Sequence, residues 1–385
     1  MASYGGPGKG TSVFLRGANS GHTLVLVDGV RMGSATTGSF DWANLPASAI
    51  ERIEIVRGPQ SGLYGSDAIG GVIQIFTKKG ADEPSARAYL EAGGLGSSRA
   101  SVDVRGGKEG VRYALTAEGY RTRGVSAAAN GTEPDSFHTT NWSASLDLPV
   151  GDGALHLSGL STDGTTGLDG GFPFGDVLNY KQRLQQRALR TELEYPVLDA
   201  WLMRLRIGRS EDISIGMDPA TASNNWRIRT RIDQWAWENQ LDFGRLGIVA
   251  GVEQYRSYGK NPSQRIDKRM DQTAGFVEIG WHGDLLDATA TLRHDRNSLV
   301  ANKTTYRIGV AAHPSTGLTV FANYGTGFKA PSLNDLYWPA SAWSAGNPNL
   351  KPESSTGWDA GIRWQQESDW GALTLSATYF RQDIR

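Results

Sequence analysis

The stretch RGPQSGLYGSDAIGGVIQIFTKKG, residues Arg57 to Gly80, decides how the rest of the chain reads. Five glycines (Gly58, Gly62, Gly65, Gly70 and Gly71) punctuate it before an apolar run from Val72 to Phe76. Lys78, Lys79 and Gly80 then end the run. Glycine permits tight turns and close backbone approach at an entropic cost. The segment therefore reads as a short strand reached through several tight turns.

Upstream, SVFLRG, TLVLVDGV and SAIERIEIVRGP read as further short strands joined by Gly-rich turns, with one helical turn near Pro46 to Ile50. Residues 1–80 thus read as a small mixed α/β unit. Downstream, from about residue 85, the pattern becomes period two. In VRYALTAEGY, Val111, Tyr113, Leu115 and Ala117 alternate with Arg112, Ala114, Thr116 and Glu118. TNWSASLDL, WLMRLRI, TYRIGVAA, LTVFANY, WDAGIRW and LTLSATYF behave in the same way. Alternation places successive side chains on opposite faces of a strand. About fifteen such segments of roughly ten residues each suit tilted strands crossing a membrane. Short connections such as GDG (Gly151 to Gly153) and PSTG (Pro314 to Gly317) alternate with long polar ones around residues 123–138, 161–183, 210–225 and 329–353. Short turns at one end and long loops at the other are the signature of an outer-membrane barrel. Trp142, Trp201, Trp226, Trp281, Trp364 and Trp370 near strand ends are candidates for interfacial aromatic girdles.

Composition narrows the alternatives. The chain of 385 residues has a formal net charge of -1, no cysteine and 49 glycines. Near-zero charge argues against a nucleic-acid binder. Without cysteine there is no disulfide framework, thiolate zinc site or cysteine nucleophile. No apolar run approaches the roughly 20 residues of a spanning helix, yet a barrel keeps its average hydrophobicity low by alternating. The start, MASYGGPGKGTS, has no apolar h-region, so either the chain stays in the cytoplasm or its true N-terminus is missing. A soluble propeller is disfavoured because no repeat of fixed period is present. A soluble sandwich is disfavoured by the number of long strands, and a soluble carbohydrate-binding β-protein remains the distant alternative. No Ser/His/Asp set or metal-spaced histidines stand out, so no enzyme is expected.

Three motifs carry a resemblance. FLRGANSGHTLVLVDGVRM, IERIEIVRGPQSGLYGSDAIGGVIQIFTKKG and NYGTGFKAPSLNDLYW with GNPNLKPESS are similar, in wording, order and spacing, to TonB-dependent outer-membrane receptors. LYGSDAIGGV and the KAPSLNDLYW motif most resemble the cobalamin (vitamin B12) transporter subgroup. The resemblance implies a transmembrane antiparallel β-barrel, 22-stranded in the full-length family. It also implies an N-terminal α+β plug domain inside the lumen. Residues 1–80 are then a partial plug and 81–385 a partial barrel. GGVIQIF becomes the last plug strand and TKKGADEPS the crossing to the barrel wall, with the glycines serving close packing against that wall. The family's signal peptide, TonB box and first plug strands are absent, and YFRQDIR ends about seven strands before closure of a 22-stranded barrel. A fragment that neither inserts nor transports alone is expected. The implied function is outer-membrane uptake of cobalamin energised by TonB. A ferric siderophore is the alternative cargo, which Arg204, Arg206, Arg227, Arg229 and Arg231, read as lumen-facing, keep open. A monomer in outer-membrane lipid, with no nucleic-acid partner, is expected.

The same resemblance nominates site residues. Alternation puts Glu253 and Asp359 on the lumen face, and receptors of this family join plug arginines to barrel carboxylates. Arg16 and Arg57 are therefore expected to meet Glu253 and Asp359. The plug loops ANSGH and RMGSATTGSFDW are the expected outward apices, offering Asn19, Ser20, His22, Ser34, Thr36, Thr37, Ser39, Phe40 and Trp42 to substrate. Loop aromatics Phe172, Phe174, Tyr337 and Trp338 complete the expected site. No resident cofactor is expected, but the subgroup orders its outer loops with calcium. Glu133, Asp135, Asp163, Asp169 and Asp176 are the candidate ligands, sparser than the subgroup's pattern suggests. Calcium takes six to eight oxygens, mostly carboxylate and carbonyl.

Overall fold

The structure is a computed structural model and describes residues 1–385 apart from 4, 130, 171–174, 343 and 369. Phe172 and Phe174 lie outside the described residues. The N-terminal unit opens with a small hairpin, β1 (Ala2–Ser3) and β2 (Thr11–Ser12). Then come β3 (Thr23–Val27), β4 (Val30–Met32), β5 (Ile50–Arg57), a short helix α1 (Ser61–Tyr64) and β6 (Gly71–Thr77). Four of these strands form one sheet in the order β4-β3-β6-β5, with β3 and β6 parallel. Asp28 and Gly29 take positive φ in the tight turn between β3 and β4, as Asp-Gly hairpins do. The Asp28 carboxylate also accepts hydrogen bonds from Thr77 N (2.9 Å) and Thr77 Oγ1 (2.7 Å), tying the end of β6 to that turn. Val25, Val27, Ile73 and Ile75 are buried together with Phe40. Their core continues onto Leu160 and Ala188 of the surrounding wall. The expected helical turn near Pro46–Ile50 is a single 3-10 turn, Ala47–Ala49. Helix α1 sits inside the glycine-rich stretch itself.

That wall is one antiparallel sheet of fifteen strands in strict chain order. Its first members are β7 (Ser85–Gly93), β8 (Ser97–Lys108), β9 (Val111–Thr122), β10 (Phe137–Val150) and β11 (Gly153–Gly167). It continues through β12 (Lys181–Leu198), β13 (Trp201–Met217), β14 (Trp226–Phe243), β15 (Leu246–Asn261) and β16 (Ile266–His282). It ends with β17 (Leu286–Asn297), β18 (Lys303–Ser315), β19 (Leu318–Lys329), β20 (Glu353–Ser368) and β21 (Gly371–Ile384). A second short helix, α2 (Leu333–Tyr337), lies between β19 and β20. Alternation sorts the faces. Along β17, Thr291, Arg293 and Asp295 point inward and are buried, while Leu292 is 53% exposed on the outside.

The strands exceed the expected ten residues, reaching 18 in β12 and β14. Much of the sequence read as loop is ladder: β11 runs on to Gly167, β12 starts at Lys181 and β13 reaches Met217. These extensions pair outward-facing charges instead of apolar residues, as in Arg183–Asp163 (2.5 Å) and Arg229–Glu211 (2.7 Å). Polar strand ends beyond the apolar band hide the ladder from a hydropathy reading. Trp226 is likewise not a girdle residue: it packs edge-on against Tyr180 at 5.9 Å on the inner face. Trp201, Trp281 and Trp364 do lie on the outer face at the short-turn end.

The sheet does not close on itself. Among the described residues, β7 pairs only with β8 and β21 only with β20. The plug strand β5 faces this gap, leaving Ile53 and Ile55 47% and 44% exposed.

Candidate functional site

Charge joins plug to wall at several places, and two of them bear on the expected network. Arg16 Nη1 donates to Asp359 Oδ2 at 2.7 Å, and its guanidinium lies 4.8 Å from the centre of the Phe380 ring. Asn323 Nδ2 donates to the other carboxylate oxygen at 2.8 Å, so Asp359 is held from both sides. This half of the expected network is present. The other half differs. Glu253 pairs with Arg293 of β17, not with a plug arginine. Arg57 is exposed and makes no ion pair among the described residues, because β5 is the plug's edge strand at the gap.

Arg293 is fully buried and is the centre of the second junction. It donates from Nε and Nη2 to Asp295, both at 2.8 Å, and from Nη1 to the Leu63 carbonyl of α1 at 3.0 Å. Gln272 adds a hydrogen bond to Asp295 at 2.8 Å. The guanidinium lies against Gly65, where an added Cβ would sit 2.6 Å from Nη2. Close approach, not only the turn at φ 75°, explains this glycine. On the plug side Arg31 donates to Asp67 (2.8 Å), Ser66 O (2.9 Å) and Tyr64 O (2.8 Å), and stacks 4.7 Å over the Tyr255 ring. Arg31, Asp67, Arg293 and Asp295 were not among the expected residues. Period two signals the last pair: in TLRHDRN, Arg293 and Asp295 share a face opposite Leu292 and His294.

The expected substrate residues separate by burial. Asn19 and Thr37 are exposed, and Ser20 and Ser39 are half-buried, at the long-loop end. His22 is buried and bonded through Nε2 to Glu353 at 2.7 Å, so it fastens the plug to β20 instead of facing solvent. Phe40 belongs to the plug core, with Trp42 edge-on at 4.9 Å, since an apolar ring in that loop gains more from the core than from water. Ser34 bonds Thr36 (2.6 Å) and Thr230 of the wall (3.2 Å). Thr36 is fully buried because α2 lies over it: Leu333 N donates to Ala35 O (2.9 Å) and Asn334 N to Thr36 O (3.1 Å). A Ser332/Asp335 capping box starts that helix. Tyr337 faces the Lys268 ammonium at 4.8 Å, and Trp338 is half-buried. Under this cover lies a cavity of about 70 Å³ bordered by Arg31, Asp67, Ser39, Tyr255 and Lys329.

The first hairpin reaches the same end. Its Gly5 to Pro7 tip is exposed, and Lys9 is buried against the loops between β9 and β10 and between β11 and β12. The expected calcium ligands gather there with other partners. Asp135 pairs with Lys9 at 3.1 Å and accepts from Ala127 N at 2.7 Å. Asp169 accepts from Ala128 N (2.7 Å) and Ser126 Oγ (3.2 Å). Asp176 accepts from Thr132 Oγ1 at 2.6 Å, and Glu133 from Asn179 N at 2.5 Å. Asp163 is apart, on the outer face with Arg183. Among the described residues no three acidic or histidine side chains form a group able to hold a metal.

Comparison with known families decides what this architecture is. The plug matches "TonB-dependent Receptor Plug Domain" over residues 1–72, and the wall matches "TonB dependent receptor-like, beta-barrel" over residues 92–385. The chain belongs to the TonB-dependent receptor family. Its members are outer-membrane receptors and transporters, not enzymes. Vitamin B12 transporter BtuB of Photobacterium profundum is 32% identical over 374 residues, covering 95% of this chain and 60% of that protein. The protein of the same name from Vibrio vulnificus is 33% identical over 393 residues, covering 94% of this chain and 59% of that protein. This receptor chain therefore spans about 60% of the length of those relatives. Among solved structures, the siderophore receptor PirA from Acinetobacter baumannii shares the fold with a TM-score of 0.81. It is 19% identical, with 100% of this chain and 66% of that one covered. The ferric-catecholate import receptor Fiu from E. coli K12 gives 0.79 at 16% identity, with 99% and 69% covered. Within the receptor lumen, Arg204 and Arg206 face inward as expected. Both are paired, with Glu194 (2.8 Å) and Glu192 (2.6 Å). Arg227, Arg229 and Arg231 face outward instead, because lumen positions in β14 are the even-numbered ones, as buried Thr230, Ile232 and Gln234 show.

Proposed function

We propose that this chain is part of an outer-membrane receptor that takes up cobalamin or a related corrinoid, energised by TonB through the family's N-terminal box. The observation that carries the cargo is identity of 32% and 33%, through plug and wall together, to relatives named as vitamin B12 transporters. The apex chemistry supports it. Asn19, Ser20, Thr37 and Ser39 offer small hydrogen-bonding groups with no concentration of charge, which suits a large ligand that is mostly neutral at its rim. A ferric siderophore is the second reading. The lumen arginines that favoured it are neutralised by glutamates, so they present little free positive charge to an anionic chelate.

The test is equilibrium binding to the complete receptor in detergent, with cyanocobalamin and a panel of ferric catecholates and hydroxamates as separate ligands. Nanomolar binding of cyanocobalamin alone supports the proposal. Binding of a ferric chelate with no response to cyanocobalamin overturns the cargo and leaves the family assignment in place.

A further inference from the structure

The outer loops of this receptor hold a cation of their own, and it is an ammonium. Lys9, from the first plug hairpin, is 8% exposed and reaches between two loops of the wall. Its Nζ lies 3.1 Å from Asp135 Oδ2 and donates to the Gly167 carbonyl. The Asp135 side chain is 1% exposed, so the pair is desolvated together. Asp169 stands beside Asp135, and backbone N–H groups donate to oxygens of the group: Ala127 to the same Asp135 Oδ2 that faces Lys9, Ala128 and Val177 to Asp169, Thr132 to Asp176 Oδ2 and Asn179 to Glu133, while Asp176 Oδ1 is buried without a hydrogen-bond partner among the described residues.

A calcium ion does not fit this arrangement. It needs six to eight oxygens at 2.3–2.6 Å. Coordination through Asp135 would place it within a few ångströms of the Lys9 ammonium, where like charges repel. Asp169 would have to give up the N–H donors held by both of its oxygens, and Asp176 offers only its unpartnered Oδ1.

We propose that Lys9 takes the place of a divalent cation, fastening the loop segments around Asp135 and Asp169 over the binding mouth without metal. Because Lys9 belongs to the plug, loop order then depends on the position of the first hairpin. This rests on reading those loops as part of the ligand mouth, but its test needs no ligand.

The chain has no cysteine, so one introduced cysteine carries one spin label. Labels at Ala129→Cys and Leu178→Cys report the two loops, and Ala222→Cys reports a loop away from Lys9. In the complete receptor, both loop labels are expected to be immobile in EGTA and unchanged by millimolar calcium. Lys9→Met and Asp135→Asn are expected to make them mobile in EGTA while the Ala222→Cys label keeps its spectrum. A parent receptor whose loops become immobile only on adding calcium overturns the proposal. So do variants whose loop labels stay immobile. Loosening of the Ala222→Cys label as well would assign Lys9 to general plug packing, which also overturns it.

Discussion

Arg293 shows how much one side chain can carry in a wall that is otherwise held by its ladder. It is fully buried, touches two carboxylates of the wall and donates to a carbonyl of the plug. Replacing it with leucine leaves Glu253 and Asp295 buried without a counter-charge, a change that typically costs about 3–5 kcal/mol. Denaturant unfolding of the complete receptor is expected to show a loss of that size for Arg293→Leu. Arg57→Ala, at an exposed position without an ion pair, is expected to stay within about 0.5 kcal/mol of the parent. Equal effects from the two would remove Arg293 from the plug–wall junction. Asp169 makes a second prediction at this scale, in the loops. Burial alone would push its carboxyl up. Hydrogen bonds from Ala128, Val177 and Ser126, with Asp135 alongside, outweigh burial and hold it below the usual carboxylate range. A depressed folded value means stability present above the unfolded value, roughly 3.9, and lost as pH falls through the folded one. Proteolysis of the 168–180 loop is therefore expected to accelerate below about pH 4 in the parent. Asp169→Asn is expected to be cleaved faster at neutral pH and to lose that acid dependence.

Between β19 and β20 the chain builds a small element with a mechanical position: α2 covers the plug loop that holds Ser34 and Thr36. Its N-terminus is fixed by the Ser332/Asp335 capping box and by Leu333, which is fully buried. Ser332→Ala removes the cap, worth about 1 kcal/mol. It is expected to raise the protease sensitivity of residues 330–352 without changing that of the 218–225 loop; unchanged cleavage would show that the helix is held by Leu333 alone. This element also marks where the sequence was legible and where it was not. Period two located the strands and their faces, because alternation is local. It placed Asp359 and Glu253 on the lumen correctly. It did not give Glu253 its partner, since that requires knowing which strand of the wall meets which plug turn. Nor did it show that Phe40 is core and Thr36 is covered, because burial of a loop residue depends on distant elements: Phe40 packs with plug strands and with Leu160 and Ala188 of the wall, and Thr36 lies under α2, almost three hundred positions away in sequence. Arg227, Arg229 and Arg231 were misplaced for a local reason. β14 carries charges outward beyond the apolar band, so charge there does not mean lumen.

At the scale of the whole molecule, the wall as it stands is a curved sheet with two free edges wrapped part of the way around a plug. β7 and β21 are exposed along their lengths, and β5 of the plug looks into the gap with isoleucines uncovered. In water such edges are tolerable. In hydrocarbon each unpaired N–H and C=O costs several kcal/mol, and a strand edge carries a row of them. Closing the edges on each other would require β7 to reach β21 across a lumen that already holds the plug. Residues 1–385 expressed alone are therefore expected to fail as a membrane protein even though nearly every strand in them pairs with a neighbour. The measurement is refolding into liposomes, followed by urea extraction and electrophoresis with and without heating. This chain is expected to be extracted by urea and to migrate identically in both lanes. The complete receptor is expected to resist urea and to shift on heating, as a closed ladder unfolds only at high temperature. A urea-resistant, heat-shifting form of residues 1–385 would mean that the free edges find partners after all. Its apparent mass would then separate closure within one chain from edge-to-edge pairing of two.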